Sequence, residues 1–186
     1  MNDGLGKKII LAIVLLAVVI TVIFLVSKWT SPEDDRAPGP LSEVPGETRS
    51  VSLFFVSREA DGMLSETREI AVREGIEEQV KGAITALVQG PVSGEMISAI
   101  PPSVEVLQVF WHEDTQTLFI DFNRALISDH PGGSAGEYYT INMIIRTLAS
   151  NFPQVRRLQL LVDGYPVETI AGHYAVSKPL EIDRWR

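Results

Sequence analysis

Val104-Glu-Val-Leu-Gln-Val-Phe-Trp-His-Glu-Asp-Thr-Gln-Thr-Leu-Phe-Ile-Asp-Phe122 holds two strand-like runs about a short polar break. Val104 to Trp111 is the first run, and His112-Glu-Asp-Thr115 is the break. In the second run Leu118, Ile120 and Phe122 alternate with Thr117, Phe119 and Asp121, the period-two pattern of a strand with one face inward. So short a break returns the chain alongside itself, and the pair reads as a hairpin.

Helical patterns flank this hairpin on both sides. Downstream, Ser134 opens a helix running to about Ser150, with Tyr138, Ile141, Ile144/Ile145 and Leu148 as its buried stripe and Asn151 and Pro153 as its stop. Upstream, Ile76 to Gln89 repeats apolar residues at Ile76, Val80, Ala83/Ile84 and Leu87. Glu77 and Glu78 suit its positive N-terminal end, and Gly90-Pro91 terminates it. Gly82 inside this helix costs about 1 kcal/mol against Ala, and close packing on a sheet would account for it. Further out, Val51-Ser-Leu-Phe-Phe-Val56 is a strand, Asp61-Gly62 a turn, and Glu66 to Val72 the returning strand. At the other end Val155 to Val162 is a strand with Leu158, Leu160 and Val162 inward. Asp163-Gly164 turns it, and Pro166 to Ile170 pairs back. The order β-β-α-β-β-α-β-β predicts an α+β domain over residues 50–186, with two helices packed on a mostly antiparallel sheet.

The remaining chain reads differently. Ile9 to Val26 is an 18-residue run in which only Thr21 is polar. As a helix it spans about 27 Å, close to the roughly 30 Å of a bilayer core. Lys7 and Lys8 precede it, and Lys28 and Trp29 follow. The bias places residues 1–8 in the cytoplasm and the C-terminal domain outside. No small-residue cleavage site follows, so residues 9–26 are expected to be an uncleaved signal-anchor, a single transmembrane helix in the inner membrane. Residues 27–49 form a linker, with Pro32, Pro38, Pro40 and Pro45 against helix and a run of acidic residues keeping it solvated. This division explains an odd composition. The 186 residues carry 16 Lys+Arg against 24 Asp+Glu, a net charge of −8, yet the mean hydropathy is +0.13. The hydropathy belongs to the anchor and the acidity to the other side of the membrane. That acidity argues against nucleic-acid binding and against docking on anionic lipid. The absence of cysteine excludes disulfides, thiol nucleophiles and cysteine lipid anchors.

Few constellations carry chemistry. Gly132-Gly-Ser134-Ala-Gly136 fits G-x-S-x-G, and Asp163 and His173 follow in the chain order of a Ser…Asp…His triad. The nucleophile elbow needs a strand running straight into the turn, but the preceding strand ends near Phe122, about ten residues upstream. A capping box explains Ser134 and Glu137 together: the hydroxyl caps a helix N–H and Glu137 reaches back. His112, His130 and His173 have no metal-ligand spacing and read as turn or surface residues. Asp121, ending a strand, is the best single carboxylate candidate, with a turn partner as its ordinary role. Gly132 and Gly133 precede a helix start without the Lys-Ser/Thr of a phosphate loop. Arg156 and Arg157 read as a solvated strand edge. The reading therefore assigns no catalytic, cofactor-binding or metal residue and no cofactor.

Several ordered pieces together resemble a known module. They are Ser52-Leu-Phe-Phe-Val56 with Leu64 and Arg68-Glu-Ile70, Ala86-Leu-Val-Gln-Gly-Pro91, Ser98-Ala-Ile-Pro101, Leu118-Phe-Ile-Asp-Phe-Asn123, Asn142 to Ala149 with Arg146-Thr-Leu148, and Leu158-Gln-Leu-Leu-Val-Asp-Gly164. In order and spacing they are similar to the GerMN domain of sporulation and spore-germination GerM-type proteins, over about residues 50–180. The departures are a single copy and no lipobox cysteine. The resemblance implies a ring-building-like α+β fold used for protein assembly at bacterial envelopes, with no catalytic residues. The expected function is thus a membrane-tethered, non-enzymatic interaction or assembly module of the cell envelope. Its expected partners are envelope proteins, with self-assembly, or peptidoglycan. Two alternatives stand beside it. One is a hydrolase of wall or ester substrates through Ser134/Asp163/His173 or Asp121. The other is a glycan-binding domain using Trp111, Tyr165, Tyr174 and Trp185.

Overall fold

The computed structural model describes residues 19–22 and 47–185. The chain divides into two units, residues 1–44 and 45–186. In the first, Val19–Val22 is helical. The rest of the span expected at residues 9–26, and the linker up to residue 46, lie outside the described residues. Among the described residues no helix is long and apolar enough to cross a membrane.

The second unit begins with a hairpin. β1 (Thr48–Ser57) pairs antiparallel with β2 (Met63–Ala71) from Thr48↔Ala71 to Val56↔Met63. The turn between them closes with Ser57 N–H donating to Gly62 O at 2.9 Å. α1 (Ile76–Val88) follows and buries Val80, Ala83, Ile84 and Leu87, the stripe that the periodicity predicts. β3 (Met96–Ile97) returns to the far edge of β1 and completes a three-stranded sheet, β2-β1-β3. Two residues are too few to show a period, so the sequence reading missed this strand.

β4 (Val106–His112) and β5 (Thr117–Phe122) form the hairpin that the opening stretch predicts. A short helix, α2 (Ala125–Ser128), and the long α3 (Ser134–Asn151) lead to β6 (Arg157–Val162). β6 lies parallel to β5 in register from Thr117↔Arg157 to Phe122↔Val162. β7 (Tyr165–Pro166) and β8 (Leu180–Glu181) both pair with β6, and a 3-10 turn, Ile182–Arg184, follows. The strands are mostly antiparallel, as expected, but they form two sheets rather than one, with a parallel pair inside the second. A crossover of a dozen or more residues permits parallel pairing, whereas a tight hairpin does not. Alternation along a strand carries no information about its direction. The return strand expected at Pro166 to Ile170 shrinks to Tyr165–Pro166, and residues 167–179 form a long loop.

One face of the second sheet, with Val109, Leu118, Ile120, Phe122, Leu158, Leu160 and Val162, joins Ile141, Ile144, Ile145 and Leu148 of α3 and the buried stripe of α1 in a single core. α3 also closes the β1 edge that β3 leaves open. Asn151 Oδ1 accepts the Ser52 N–H at 2.9 Å and Asn151 Nδ2 donates to Ser52 O at 2.7 Å. Thr147 Oγ1 accepts the Phe54 N–H at 3.2 Å. Helix-borne side chains thus bond the backbone groups that an exposed edge would offer to another chain. Gly82 needs no close approach: a Cβ there would stand 3.5 Å from Ile70 Cδ1, an ordinary contact.

Candidate functional site

Polar and aromatic groups converge at the start of α3. Gly132 and Gly133, at φ 83° and 81°, occupy conformations that side chains resist, and Gly133 is the N-cap. Ser134 is therefore the first helical residue rather than the cap, and no side chain caps this end. The expected capping box is not formed. The physical reason is Glu137, which does not reach back to the helix end but points into the protein and is fully buried. It lies one turn before Ile141, at i−4, so it takes the stripe position next to the core. Tyr138, read from its spacing as part of that stripe, is instead 42% exposed.

The Glu137 carboxylate is held by backbone donors. Oε1 accepts the Ile170 N–H at 2.9 Å, and Oε2 accepts the His173 N–H at 2.8 Å. The amides of Ala171 and Tyr174 add to them. Burial raises the carboxyl pKa, but these N–H groups outweigh it and bring the pKa below the ordinary 4.5. The position in the first turn of α3 also favours a negative charge. His173 Nδ1 stands 3.4 Å from Glu137 Oε2. One buried carboxylate thus shapes the loop at residues 170–174.

His130 forms a second arrangement on the same helix end. Its Nδ1 accepts the Gly132 N–H at 3.0 Å, so in the neutral ring the proton sits on Nε2. Nε2 donates to Thr140 Oγ1 at 3.0 Å, and that hydroxyl donates to Ala99 O at 3.0 Å. Burial lowers the His130 pKa below its usual 6.5, and the Glu137 charge opposes this only in part. His130 is a half-buried connector between the loop and α3 rather than the turn or surface residue that the sequence suggests.

The other candidates find ordinary roles. Asp163 sits in the β6–β7 turn at φ 50°, and its N–H donates to Phe122 O. Among the described residues no hydrogen bond joins Ser134, Asp163 and His173, so the triad is not assembled. The group that orients His173 is Glu137. Asp121 is buried and accepts the Gly164 N–H at 2.8 Å, the turn-partner role. His112 Nδ1 meets Thr115 Oγ1 at 3.0 Å in the β4–β5 turn. Arg157 is not a solvated edge: its Nη2 donates to Thr115 O at 2.5 Å. Arg156 faces Asp183 at 3.8 Å with both side chains exposed. Among the described residues no group of three or more His, Cys, Asp or Glu side chains could hold a metal ion. A groove of about 520 Å³ between β2 and α1 is lined in part by Arg68 and Lys81. Both cations are engaged in the fold, Arg68 with Glu66, Ala86 O and Gly90 O, and Lys81 with Leu107 O.

The aromatic candidates separate into two groups. Trp111 packs partly buried against the core, and Tyr165 is exposed on β7. Tyr174 and Trp185, also partly buried against the core, come together with Tyr138. Ring centroids lie 6.0 Å apart for Tyr138–Tyr174, 5.9 Å for Tyr138–Trp185 and 5.7 Å for Tyr174–Trp185. Tyr139 meets Tyr138 edge-on at 5.7 Å. The sequence showed the residue types but not this convergence, since helix, loop and chain end supply one ring each.

A family profile matches residues 52–168, more than half of the chain, and its description is sporulation and spore germination. The chain belongs to the Germane family. Two solved structures resemble the Germane domain in fold. One is a 2.5 Å crystal structure of a protein described as a lipoprotein from Clostridium perfringens, with TM-score 0.50 and 24% identity over 74% of this chain and 89% of that one. The other is the tandem GerMN domains of the sporulation protein GerM from Bacillus subtilis, with TM-score 0.52 and 15% identity over 72% of this chain and 44% of that one. This chain thus spans less than half of the tandem. Among curated proteins, none matches. The Germane match agrees with the resemblance drawn from Ser52-Leu-Phe-Phe-Val56 through Asp163-Gly164.

Proposed function

We propose that the chain is a single-pass, membrane-tethered, non-enzymatic interaction module of the bacterial cell envelope, with its Germane domain on the extracytoplasmic side. Membership of the sporulation and spore-germination family over residues 52–168 carries this reading. The apolar run at residues 9–26 supports the tether, and within it Val19–Val22 is helical with exposed apolar side chains. A fold neighbour described as a lipoprotein is consistent with life at a membrane surface. Glu137, His130 and Asp121, the groups best suited to acid–base chemistry, each hold backbone or side-chain partners of the fold, which supports assembly rather than catalysis. The partners are other envelope proteins, including further copies of the chain, in a process of the sporulation or germination type.

Fractionation with protease access tests the placement, and proximity labelling tests the partners. The full chain should sediment with membranes, and its domain should be cleaved in spheroplasts but not in intact cells. A label fused to the C-terminus should mark envelope proteins. Recovery in the cytosol, or labelling confined to cytosolic proteins, would overturn the proposal.

A further inference from the structure

We infer that Tyr138, Tyr174 and Trp185 form a platform that binds an uncharged saccharide. Three segments distant in sequence bring these rings within 6.0 Å of one another, and Tyr138 remains 42% exposed. A ring that only fills space usually bonds its polar end within the fold. Tyr139 does so, donating from Oη to Ala60 O at 3.0 Å. The hydroxyls of Tyr138 and Tyr174 and the Trp185 indole N–H bond no described residue. Tyr174 and Trp185 are half-buried against the core, so the site offers the exposed Tyr138 ring and the uncovered parts of the other two beside hydrogen-bonding groups that bond no described residue. A pyranose matches both features: its C–H face meets the negative ring face, and its hydroxyls meet the phenol and indole groups.

Charge selects among ligands that stack. A nucleotide or an anionic lipid would bring phosphate to a chain of net charge −8. Arg49 lies over the Phe152 ring, 5.3 Å from its centroid, at the other end of α3. A protein partner would seat its anchors in concave pockets, but the grooves beside α1 and beside Phe54 are not lined by these rings. The platform is also preformed, because buried Glu137 fixes the loop that carries Tyr174 and lies next to Tyr138. The inference rests on the extracytoplasmic placement proposed above only for the source of the saccharide, the glycan strands of the wall.

The test uses the full chain solubilised in detergent. It is titrated with the N-acetylglucosamine tetramer, followed by tryptophan fluorescence, and co-sedimented with purified peptidoglycan sacculi. Saturable quenching by the tetramer and retention on sacculi are expected. Tyr138→Ala should weaken both by about tenfold, the scale of losing one stacking ring, while Tyr138→Phe keeps most of the binding. Trp185→Phe should abolish the quench but retain sacculus binding, and Trp185→Ala should lose both. If Tyr138→Ala lowers the melting temperature, the Tyr138→Phe/Tyr174→Phe double variant serves instead, with a several-fold loss expected. No saturable response of the wild-type chain to tetramer or sacculi overturns the inference. So does binding unchanged in both alanine variants. Capture of an envelope protein through these rings, without glycan, overturns it and leaves the proposed function standing. A cytosolic location with intact tetramer binding does the reverse.

Discussion

Replacing Glu137 by Gln tests the polar centre of the site. The carboxylate accepts the N–H groups of Ile170 and His173 at 2.9 and 2.8 Å and is fully buried. An amide of the same shape keeps one acceptor oxygen but turns an NH2 group toward a backbone N–H. At least one charged-acceptor bond is lost, and a donor is left facing a donor. At about 1.5–3 kcal/mol for a bond to a charged group, the expected loss is about 2–4 kcal/mol. For a domain of this size, that lowers the melting temperature by roughly 5–15 °C. The pH dependence provides an independent check. The folded pKa of Glu137 lies below 4.5, so the unfolded chain binds the proton first. The stabilisation is therefore complete above pH 4.5 and is lost as the pH falls through the folded value. Urea unfolding of both proteins between pH 3 and 7 should give curves that differ most at neutral pH and converge in acid. Amide exchange at Ile170 and His173 should accelerate in the variant beyond the rest of the fold. A stability within 0.5 kcal/mol of wild type, or a gap that stays constant with pH, would refute the carboxylate's role in shaping the loop.

Other outcomes follow from the same geometry. Gly82→Ala should stabilise by about 0.5–1 kcal/mol, because the added Cβ makes only an ordinary contact with Ile70; Gly133→Ala, at φ 81°, should destabilise by about 1–3 kcal/mol, and chemical denaturation reads both. Ser134→Ala should change stability by less than about 0.5 kcal/mol, where a true cap would cost about 1 kcal/mol. His130 has a folded pKa below 6.5, so stability should decline as the pH falls below about 6.5, where the unfolded imidazole takes a proton and the folded one does not. NMR titration of the ring should place its midpoint below 6.5, and a His130→Gln variant should lack that part of the decline.

Local order was largely legible. The stripes of α1 and of the middle of α3, the β4–β5 hairpin and the first hairpin all follow from spacing, because burial on one face imposes a period on the chain. The misses occur where a residue's partner is far away in sequence. Glu137 looked like a cap because glutamate three residues after serine is a local signal, whereas its real partners are amides 33 and 36 positions later. Its place one turn before Ile141 was the available clue. Tyr138 entered the expected stripe on spacing alone, and its exposure depends on which side of the first turn the loop at 170–174 covers. His130 showed no signal of its own, since Thr140 belongs to no motif and the pattern that contains Gly132 says nothing of a histidine two residues before it.

The sequence by itself determined an α+β domain, the order of its main elements and its family, because periodicity and ordered motifs are properties of the chain. It also determined where the apolar and acidic segments lie. Tertiary structure alone decided that the strands divide into two sheets and that β5 and β6 run parallel, since direction depends on how α2 and α3 cross over. It alone gathered Tyr138, Tyr174 and Trp185, and it turned an apparent helix cap into a buried anion. Those outcomes depend on long-range closure, in which backbone donors from one loop meet a charge on a distant helix. Local spacing records which residues face inward, but not which groups await them there.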